Sequence, residues 1–281
     1  MKNKKMKTAF TIIISIILVL AIIAGICLCH FIGLPKCVGD KKYSYKTEKI
    51  SVEYNGINLF GEALIPIGDS GQKFKTVIYA HGANSNYKSD MTTLKSLAKS
   101  GVACYTFDFY GWTSKSTGPK GKKWFKDTPK SDNDAYVNKV LLQVEDLNAV
   151  IEKVKTFDFV DEDNIYLLGS SMGGVTVATC AVTHTSDIKG IILQYPAIFL
   201  NEQAFENGAE YNVSNYKNHV LILQGNNDKI VPDKYSTELC NYYNGEKEGQ
   251  CKLIIYDGQP HVFTGKYKVI AAKDIYNFIK G

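Results

Sequence analysis

The sequence predicts an α/β fold, a mostly parallel twisted sheet of about eight strands covered by helices. Short apolar runs alternate with helical stretches along most of the chain, and parallel strands require such crossovers. The runs are too uniformly apolar for strands with one face in water, which is typical of a sheet covered on both sides. No linker rich in Pro or Ser and no internal repeat is present, so residues 38–281 are predicted to form one domain.

The first 37 residues are predicted to be a Lys-rich cytoplasmic tip and a transmembrane anchor. No Asp, Glu or Lys occurs from Thr8 to Pro35, and an apolar helix of this length crosses a hydrocarbon layer of about 30 Å. The alternative is a cleaved signal peptide, but this run is longer than the usual apolar region and has no Ala-x-Ala site. The lysines before the run favour a single-pass membrane protein with residues 38–281 outside the cytoplasm.

The charge distribution excludes nucleic acid as an expected partner. The formal net charge of +5 equals the contribution of five lysines, at positions 2, 4, 5, 7 and 36, so the body is formally neutral. The chain contains no Arg, and its five His do not have the spacing of a metal site. We expect no metal and no cofactor.

The body is predicted to begin with a hairpin and to continue as strands joined by helices. Asn55-Gly56 separates two strand-like stretches, Glu48 to Tyr54 and Leu59 to Ile65. The next predicted strands are Thr76 to Ala80, Val102 to Phe107, Ile165 to Leu168, Gly190 to Gln194, His219 to Leu223 and Lys252 to Tyr256. The predicted helices lie near Met91 to Ser100, Ala135 to Thr156, after Met172, Asp233 to Tyr243 and Tyr267 to Ile279, and the longest repeats apolar residues every three or four positions.

Gly169-Ser170-Ser171-Met172-Gly173 has the pattern G-x-S-x-G and follows a predicted strand. The chain must turn sharply there into a helix, and small residues on either side of the serine make that turn possible. The turn places Ser171 at a helix N-terminus, where negative charge is stabilised. We predict that Ser171 is a nucleophile.

A serine hydroxyl needs a base that is itself held by a carboxylate. His261 follows the predicted strand that ends at Tyr256, and Asp228 follows the one that ends at Leu223. The order Ser, Asp, His along the chain is the order that this architecture uses. We therefore predict that His261 is the base and Asp228 the residue that orients it.

The loop His81-Gly82-Ala83-Asn84 follows another predicted strand. The oxyanion of a tetrahedral intermediate is held by one N–H from such a loop and by the N–H after the nucleophile. This predicts an oxyanion hole formed by the N–H groups of Ala83 and Met172. We expect His81 to have a structural role.

These motifs resemble those of the α/β-hydrolases, and in detail the chain is similar to bacterial cinnamoyl/feruloyl esterases and to serine aminopeptidase and monoacylglycerol lipase relatives. The matching pieces are His81-Gly82, Asp108 to Gly111 leading to Ser116, Val144 to Leu147, Gly169 to Gly174, Asp228 to Pro232, and His261. The resemblance implies the α/β-hydrolase fold and the same triad.

The sequence departs from these families in two places. Trp112 and Thr113 stand where a His-Gly pair is usual, and the segment from Pro196 to Lys217 is short for a cap. A short cap implies a shallow, open pocket, for which we nominate Tyr110 and Trp112 as substrate-binding residues.

The resulting hypothesis is a serine hydrolase that cleaves small-molecule carboxylic esters through an acyl-enzyme, in EC class 3.1.1. A serine peptidase or aminopeptidase of the same fold, and a non-catalytic binding protein, are the alternatives. Cys240 and Cys251 bracket a polar loop and would form a disulfide only in an oxidising compartment. The sequence leaves that pairing, the acyl and alcohol groups and the oligomeric state open.

Overall fold

The computed structural model describes residues 33–111, 115–121, 133–199 and 213–281. An eight-stranded sheet has the order β1-β4-β6-β5-β7-β8-β9-β10. β1 and β4 are antiparallel to their neighbours, and the strands from β6 to β10 are parallel to one another. The predicted mostly parallel sheet of about eight strands is confirmed.

The strands are β1 Tyr45–Lys49, β2 Val52–Tyr54, β3 Ile57–Leu59, β4 Gly61–Pro66, β5 Phe74–Ala80, β6 Ala103–Phe107, β7 Val160–Ser170, β8 Ile188–Gln194, β9 His219–Gly225 and β10 Cys251–Tyr256. The helices are α1 Met91–Ala98, α2 Asn133–Lys155, α3 Met172–Ala181, α4 Asp233–Glu246 and α5 Tyr267–Lys280. Each predicted strand and helix of the body is present, with bounds shifted by a few residues.

The helices cover both faces of the sheet. α1 and α5 pack together over one face, and α2 and α3 pack together over the other, where α4 covers β9 and β10. The predicted apolar stripe of α2 faces the sheet, since Val140, Leu147, Ile151 and Val154 are fully buried. Removing apolar surface from water on both faces is the main stabilising contribution to this fold.

Asn55 and Gly56 form the predicted tight turn, between β2 and β3. Both residues have positive φ, at 45° and 75°, as a two-residue turn between right-twisted strands requires. The predicted hairpin is therefore present, but its strands are shorter than the two apolar stretches. β1 and β4 instead pair with each other at the edge of the large sheet.

Two points raised by the sequence concern the N-terminal run, which was predicted to be an anchor, and the pair Cys240 and Cys251, whose pairing was left open. Most of the predicted anchor lies outside the described residues, and within them no helix combines the length and apolar character needed to cross a membrane. Cys240 and Cys251 are present as free, buried thiols.

Candidate active site

Ser171 lies on a strained turn between β7 and α3. Its backbone has φ 54° and ψ −119°, which a residue with a side chain rarely adopts. The turn is possible because its glycines allow very close packing. A Cβ added to Gly169 would lie 2.3 Å from the carbonyl oxygen of Gly173, and one added to Gly173 would lie 2.2 Å from that of Ala80. The sharp turn holds the Ser171 hydroxyl beyond the carboxyl end of β7.

The structure brings the three predicted triad side chains together in one chain of hydrogen bonds. His261 Nε2 lies 2.9 Å from Ser171 Oγ, and His261 Nδ1 lies 2.7 Å from Asp228 Oδ2. With Nδ1–H donating to the carboxylate, Nε2 carries the lone pair that faces the serine hydroxyl. This is the tautomer that a general base needs.

Asp228 is held in a single orientation by donors to both of its oxygens. The backbone N–H groups of Ile230 and Val231 donate to Oδ1 at 2.8 and 2.9 Å. The Gln224 side chain donates to Oδ2 at 3.1 Å, beside the bond from His261. Asp228 is buried and Ser171 is partly exposed. A substrate can therefore reach the nucleophile, while the carboxylate is shielded from solvent.

The loop after β5 passes directly beside the nucleophile. A Cβ added to Gly82 would lie 3.2 Å from Ser171 Cβ. Among the described residues, neither the Ala83 N–H nor the Met172 N–H has a hydrogen-bond partner. Unpaired N–H groups next to a nucleophile can stabilise a developing oxyanion.

His81, at the start of this loop, is fully buried. Its Nδ1 donates to the Gly82 carbonyl oxygen at 2.8 Å, and its Nε2 accepts from the Phe109 N–H at 3.3 Å. Burial lowers the pKa of His81, although the bond to Gly82 acts in the opposite direction. The ring therefore ties two loops together, the structural role expected from the sequence.

A buried polar layer beneath the triad is not evident from any sequence motif. Ser170 Oγ donates to Gln194 Oε1 at 3.0 Å, and the Tyr195 ring lies 4.8 Å from the His261 ring. Asp90 accepts from the Thr93 hydroxyl at 2.7 Å, and burial raises the pKa of Asp90 to about 6. Ser170 and Gln194 end two neighbouring strands and Asp90 precedes α1, so only the folded chain brings these residues together.

Comparison with protein families places the chain in one of them. The model described as "Serine aminopeptidase, S33", a hydrolase family, matches residues 71–211, which is half of the chain. The matched segment contains the Ser171 turn and the loop that carries Ala83. The chain belongs to the serine aminopeptidase S33 family of α/β-hydrolases. Comparison with the curated proteins gives no match.

Solved structures share the fold of this S33-family chain. Est1E from Butyrivibrio proteoclasticus, determined with ferulic acid bound, has 22% identity and a TM-score of 0.64, and the alignment covers 82% of this chain and 97% of that one. Dienelactone hydrolase from Anabaena variabilis has 16% identity and a TM-score of 0.63, and the alignment covers 83% of this chain and 96% of that one.

A putative dipeptidyl aminopeptidase IV from Bacteroides ovatus gives 16% identity, a TM-score of 0.65 and coverage of 85% of this chain. The chain spans only 36% of that protein's length. The resemblance to esterases and aminopeptidases predicted from the motifs is confirmed at the level of family and fold. At these identities the structural neighbours show the fold alone.

Tyr110, nominated for substrate binding, is buried in this S33-family fold. Its N–H donates to Asp146 Oδ2 at 2.8 Å, and its hydroxyl accepts from the Lys120 N–H at 2.6 Å. It borders a cavity of about 140 Å³ between the hairpin and α2, lined also by Tyr54, Ile57, Pro119, Leu142 and Asp146. Trp112, the other nominee, lies outside the described residues.

One group of side chains in the described part of the chain has atoms close enough to share a metal ion. It consists of Glu152, His184 and Asp187. Lys155 already pairs with both carboxylates, at 3.6 and 3.3 Å. The group therefore acts as a surface salt-bridge cluster between α2 and the turn after α3.

Proposed function

We propose that this S33-family protein is a serine hydrolase that cleaves carboxylic esters through an acyl-enzyme. The observation that carries the proposal is the continuous chain of hydrogen bonds from Ser171 through His261 to Asp228. Such a chain activates a hydroxyl that is otherwise unreactive. Among the described residues, Ser171 Oγ is the only hydrogen-bond partner of His261 Nε2.

In the first step, Ser171 Oγ attacks the ester carbonyl carbon and its proton moves to His261 Nε2. The carbonyl oxygen becomes an oxyanion that the N–H groups of Ala83 and Met172 stabilise. The C–O bond to the alcohol then breaks, and the alcohol leaves with the proton from Nε2. Asp228 stabilises the imidazolium that exists between these two transfers.

In the second step, water takes the place of the alcohol. It gives a proton to His261 Nε2 as it attacks the acyl carbon, the bond to Ser171 Oγ breaks, and the serine regains its proton. The products are a carboxylic acid and free Ser171. No cofactor enters either step.

Peptide hydrolysis is the second candidate, and the family model named for an aminopeptidase favours it. The same triad can cleave an amide, but an aminopeptidase also needs a carboxylate to hold the substrate's free amino group. The family name is therefore its main support. A panel of aryl esters and aminoacyl anilides, matched in acyl group, separates the two activities.

The test of the nucleophile uses the full chain in mild detergent with a fluorophosphonate probe. We expect labelling of the wild type and loss of labelling in the Ser171→Ala variant. Ser170→Ala is the matched control, because Ser170 is adjacent but donates to Gln194 rather than facing His261. Absence of labelling in the folded wild type would overturn the proposal and favour a non-catalytic binding protein.

We also propose that residues 1–37 anchor the protein, with the catalytic domain, residues 38–281, outside the cytoplasm. The support is the uncharged run from Thr8 to Pro35 and the lysines that precede it. Protease added to intact cells should digest the domain. A domain that is protected until the cells are lysed would reverse the orientation.

A further inference from the structure

The apolar N-terminal run ends beside the active-site loop. Gly33, near the end of that run, is its first described residue. Its backbone touches that of Gly265, since a Cβ on Gly33 would lie 2.0 Å from the Gly265 carbonyl oxygen. Gly265 is four residues beyond His261, in the loop between β10 and α5. The chain therefore enters the domain at the carboxyl edge of the parallel sheet, the edge on which the triad lies.

The segment from Gly33 to Asp40 is fixed along the domain rather than loosely tethered. The N–H groups of Lys36 and Val38 donate to Ser96 Oγ and Ser100 Oγ at 3.1 and 2.8 Å. At its far end, Asp40 pairs with Lys280, the last residue of α5. The segment thus follows α5 from its first turn to its last, so the position of Gly33 is determined by the fold.

Exposed apolar side chains occur at this same edge. Leu34 is 44% exposed, Val262 next to the catalytic histidine is 53% exposed, and Ile230 near Asp228 is 68% exposed. A single exposed apolar side chain is ordinary. Here they coincide with the entry point of an apolar run, and the exposed Lys229 and Lys266 lie beside them.

We propose that this edge faces the bilayer, and that the substrate is an ester-bearing amphiphile that resides in the membrane. The proposal rests on the serine hydrolase function and on the membrane anchor, which are both proposed above. Leu34, Ile230 and Val262 would enter the boundary between headgroups and acyl chains, and the two lysines would remain among anionic headgroups. The ester carbonyl of such an amphiphile lies at that same boundary, within reach of Ser171.

Tethering adds to this arrangement through effective concentration. A site held at the membrane surface by a rigid segment meets substrate that is concentrated in two dimensions. A loosely tethered domain would sample orientations in which the triad points to water. Because the segment from Gly33 to Asp40 is held against the domain, it does not lengthen the tether, and a short tether limits that freedom.

The first test measures the position of the edge directly. Full-length protein is reconstituted in phosphatidylcholine and phosphatidylglycerol vesicles, with and without brominated acyl chains. We expect the fluorescence added by Val262→Trp to fall about twofold or more with brominated lipid, because the interface is about 5–10 Å deep. Ile67→Trp is the matched control, since Ile67 is 56% exposed and follows β4 at the opposite edge of the sheet. Its added fluorescence should not change.

The second test measures hydrolysis of a long-chain fluorogenic ester in those vesicles and of a short, water-soluble ester. Leu34→Ser with Val262→Ser should lower the first rate about tenfold, because two apolar side chains no longer enter the interface. The soluble ester should be cleaved at the wild-type rate. The control Ile67→Ser should change neither rate.

The outcomes separate this inference from the function on which it rests. If the wild type cleaves neither ester, the hydrolase assignment fails, whatever the quenching shows. If the soluble ester is cleaved but position 262 is quenched no more than position 67, the membrane-facing edge is wrong. A dimer of the full chain with an unquenched position 262 would likewise overturn it, because a second copy would then cover the edge.

Discussion

Asp146 should make the stability of this protein fall as the pH rises. Its carboxyl is 2% exposed and lies between the Tyr54 hydroxyl and the Tyr110 N–H, which both donate to it. Burial disfavours the charged form and raises the pKa of Asp146 to about 7 from 3.8, although the two hydrogen bonds act in the opposite direction. The perturbation is Asp146→Asn, which removes the titration.

The magnitude follows from proton linkage. Between pH 4 and pH 7 the folded state holds a proton on Asp146 that the unfolded state has lost. The contribution is therefore fully present at low pH and is lost as the pH rises through the folded pKa. With pKa values of 3.8 and about 7, the free energy of unfolding should fall by about 2.5 kcal/mol between pH 5 and pH 8. Asparagine can keep both contacts, because its oxygen can accept from Tyr110 and its amide can donate to the Tyr54 oxygen.

The assay is urea unfolding of the full chain in mild detergent, followed by far-ultraviolet circular dichroism at pH 5, 6, 7 and 8. The wild type should lose about 2.5 kcal/mol more than Asp146→Asn over this interval. Asp90, whose pKa is also raised, contributes equally to both proteins and cancels. Asp158→Asn, at an exposed position, should follow the wild type. Parallel pH profiles for the wild type and Asp146→Asn would refute the reasoning.

Three further predictions concern the machinery around the nucleophile. Ser171→Gly should be more stable than Ser171→Ala by about 1 kcal/mol, measured by urea unfolding, because only glycine relieves the strain at φ 54°. Gly173→Ala should destabilise the fold by at least about 2 kcal/mol in the same assay, because its methyl group would lie 2.2 Å from the Ala80 carbonyl oxygen. Gln224→Leu should lower kcat on a soluble ester about tenfold with little change in KM, because Asp228 loses a donor.

Each of these three predictions would be contradicted by a specific result. Equal stability of the two Ser171 variants would mean that the turn relaxes without cost. An unchanged unfolding midpoint for Gly173→Ala would mean that α3 can move away from the end of β5 at little cost. For Gln224→Leu, a rise in KM with unchanged kcat would assign the side chain to substrate binding instead of positioning.

Much of the fold follows from local sequence patterns. The alternation of apolar runs with helices predicts the parallel sheet, because strands covered on both sides must be apolar throughout. Asn55-Gly56 predicts its turn, since these two residues tolerate positive φ. The first two apolar stretches did not reveal that β1 pairs with β4. That pairing depends on long-range register, which adjacent residues do not encode.

The candidate triad was also predictable, because each member follows a strand and parallel strands end at one edge of the sheet. The order Ser171, Asp228, His261 and the glycines around the serine indicated the roles. The sequence could not give the distances between these three side chains. The orientation of His261 depends on Asp228, and that of Asp228 depends on Gln224 and on two backbone N–H groups that no motif marks.

The sequence alone determined the elements, the family resemblance and the residues that could form a nucleophilic site, because periodicity, turn chemistry and motif spacing are local properties. The tertiary structure decided which residues from distant parts of the chain lie close together. It brought Asp90, Ser170 and Gln194 into one layer, it buried Asp146 against two tyrosines, and it set Gly33 beside the loop of His261. These contacts join residues that are far apart along the chain. They contribute to stability only after the sheet has formed and excluded water from between them.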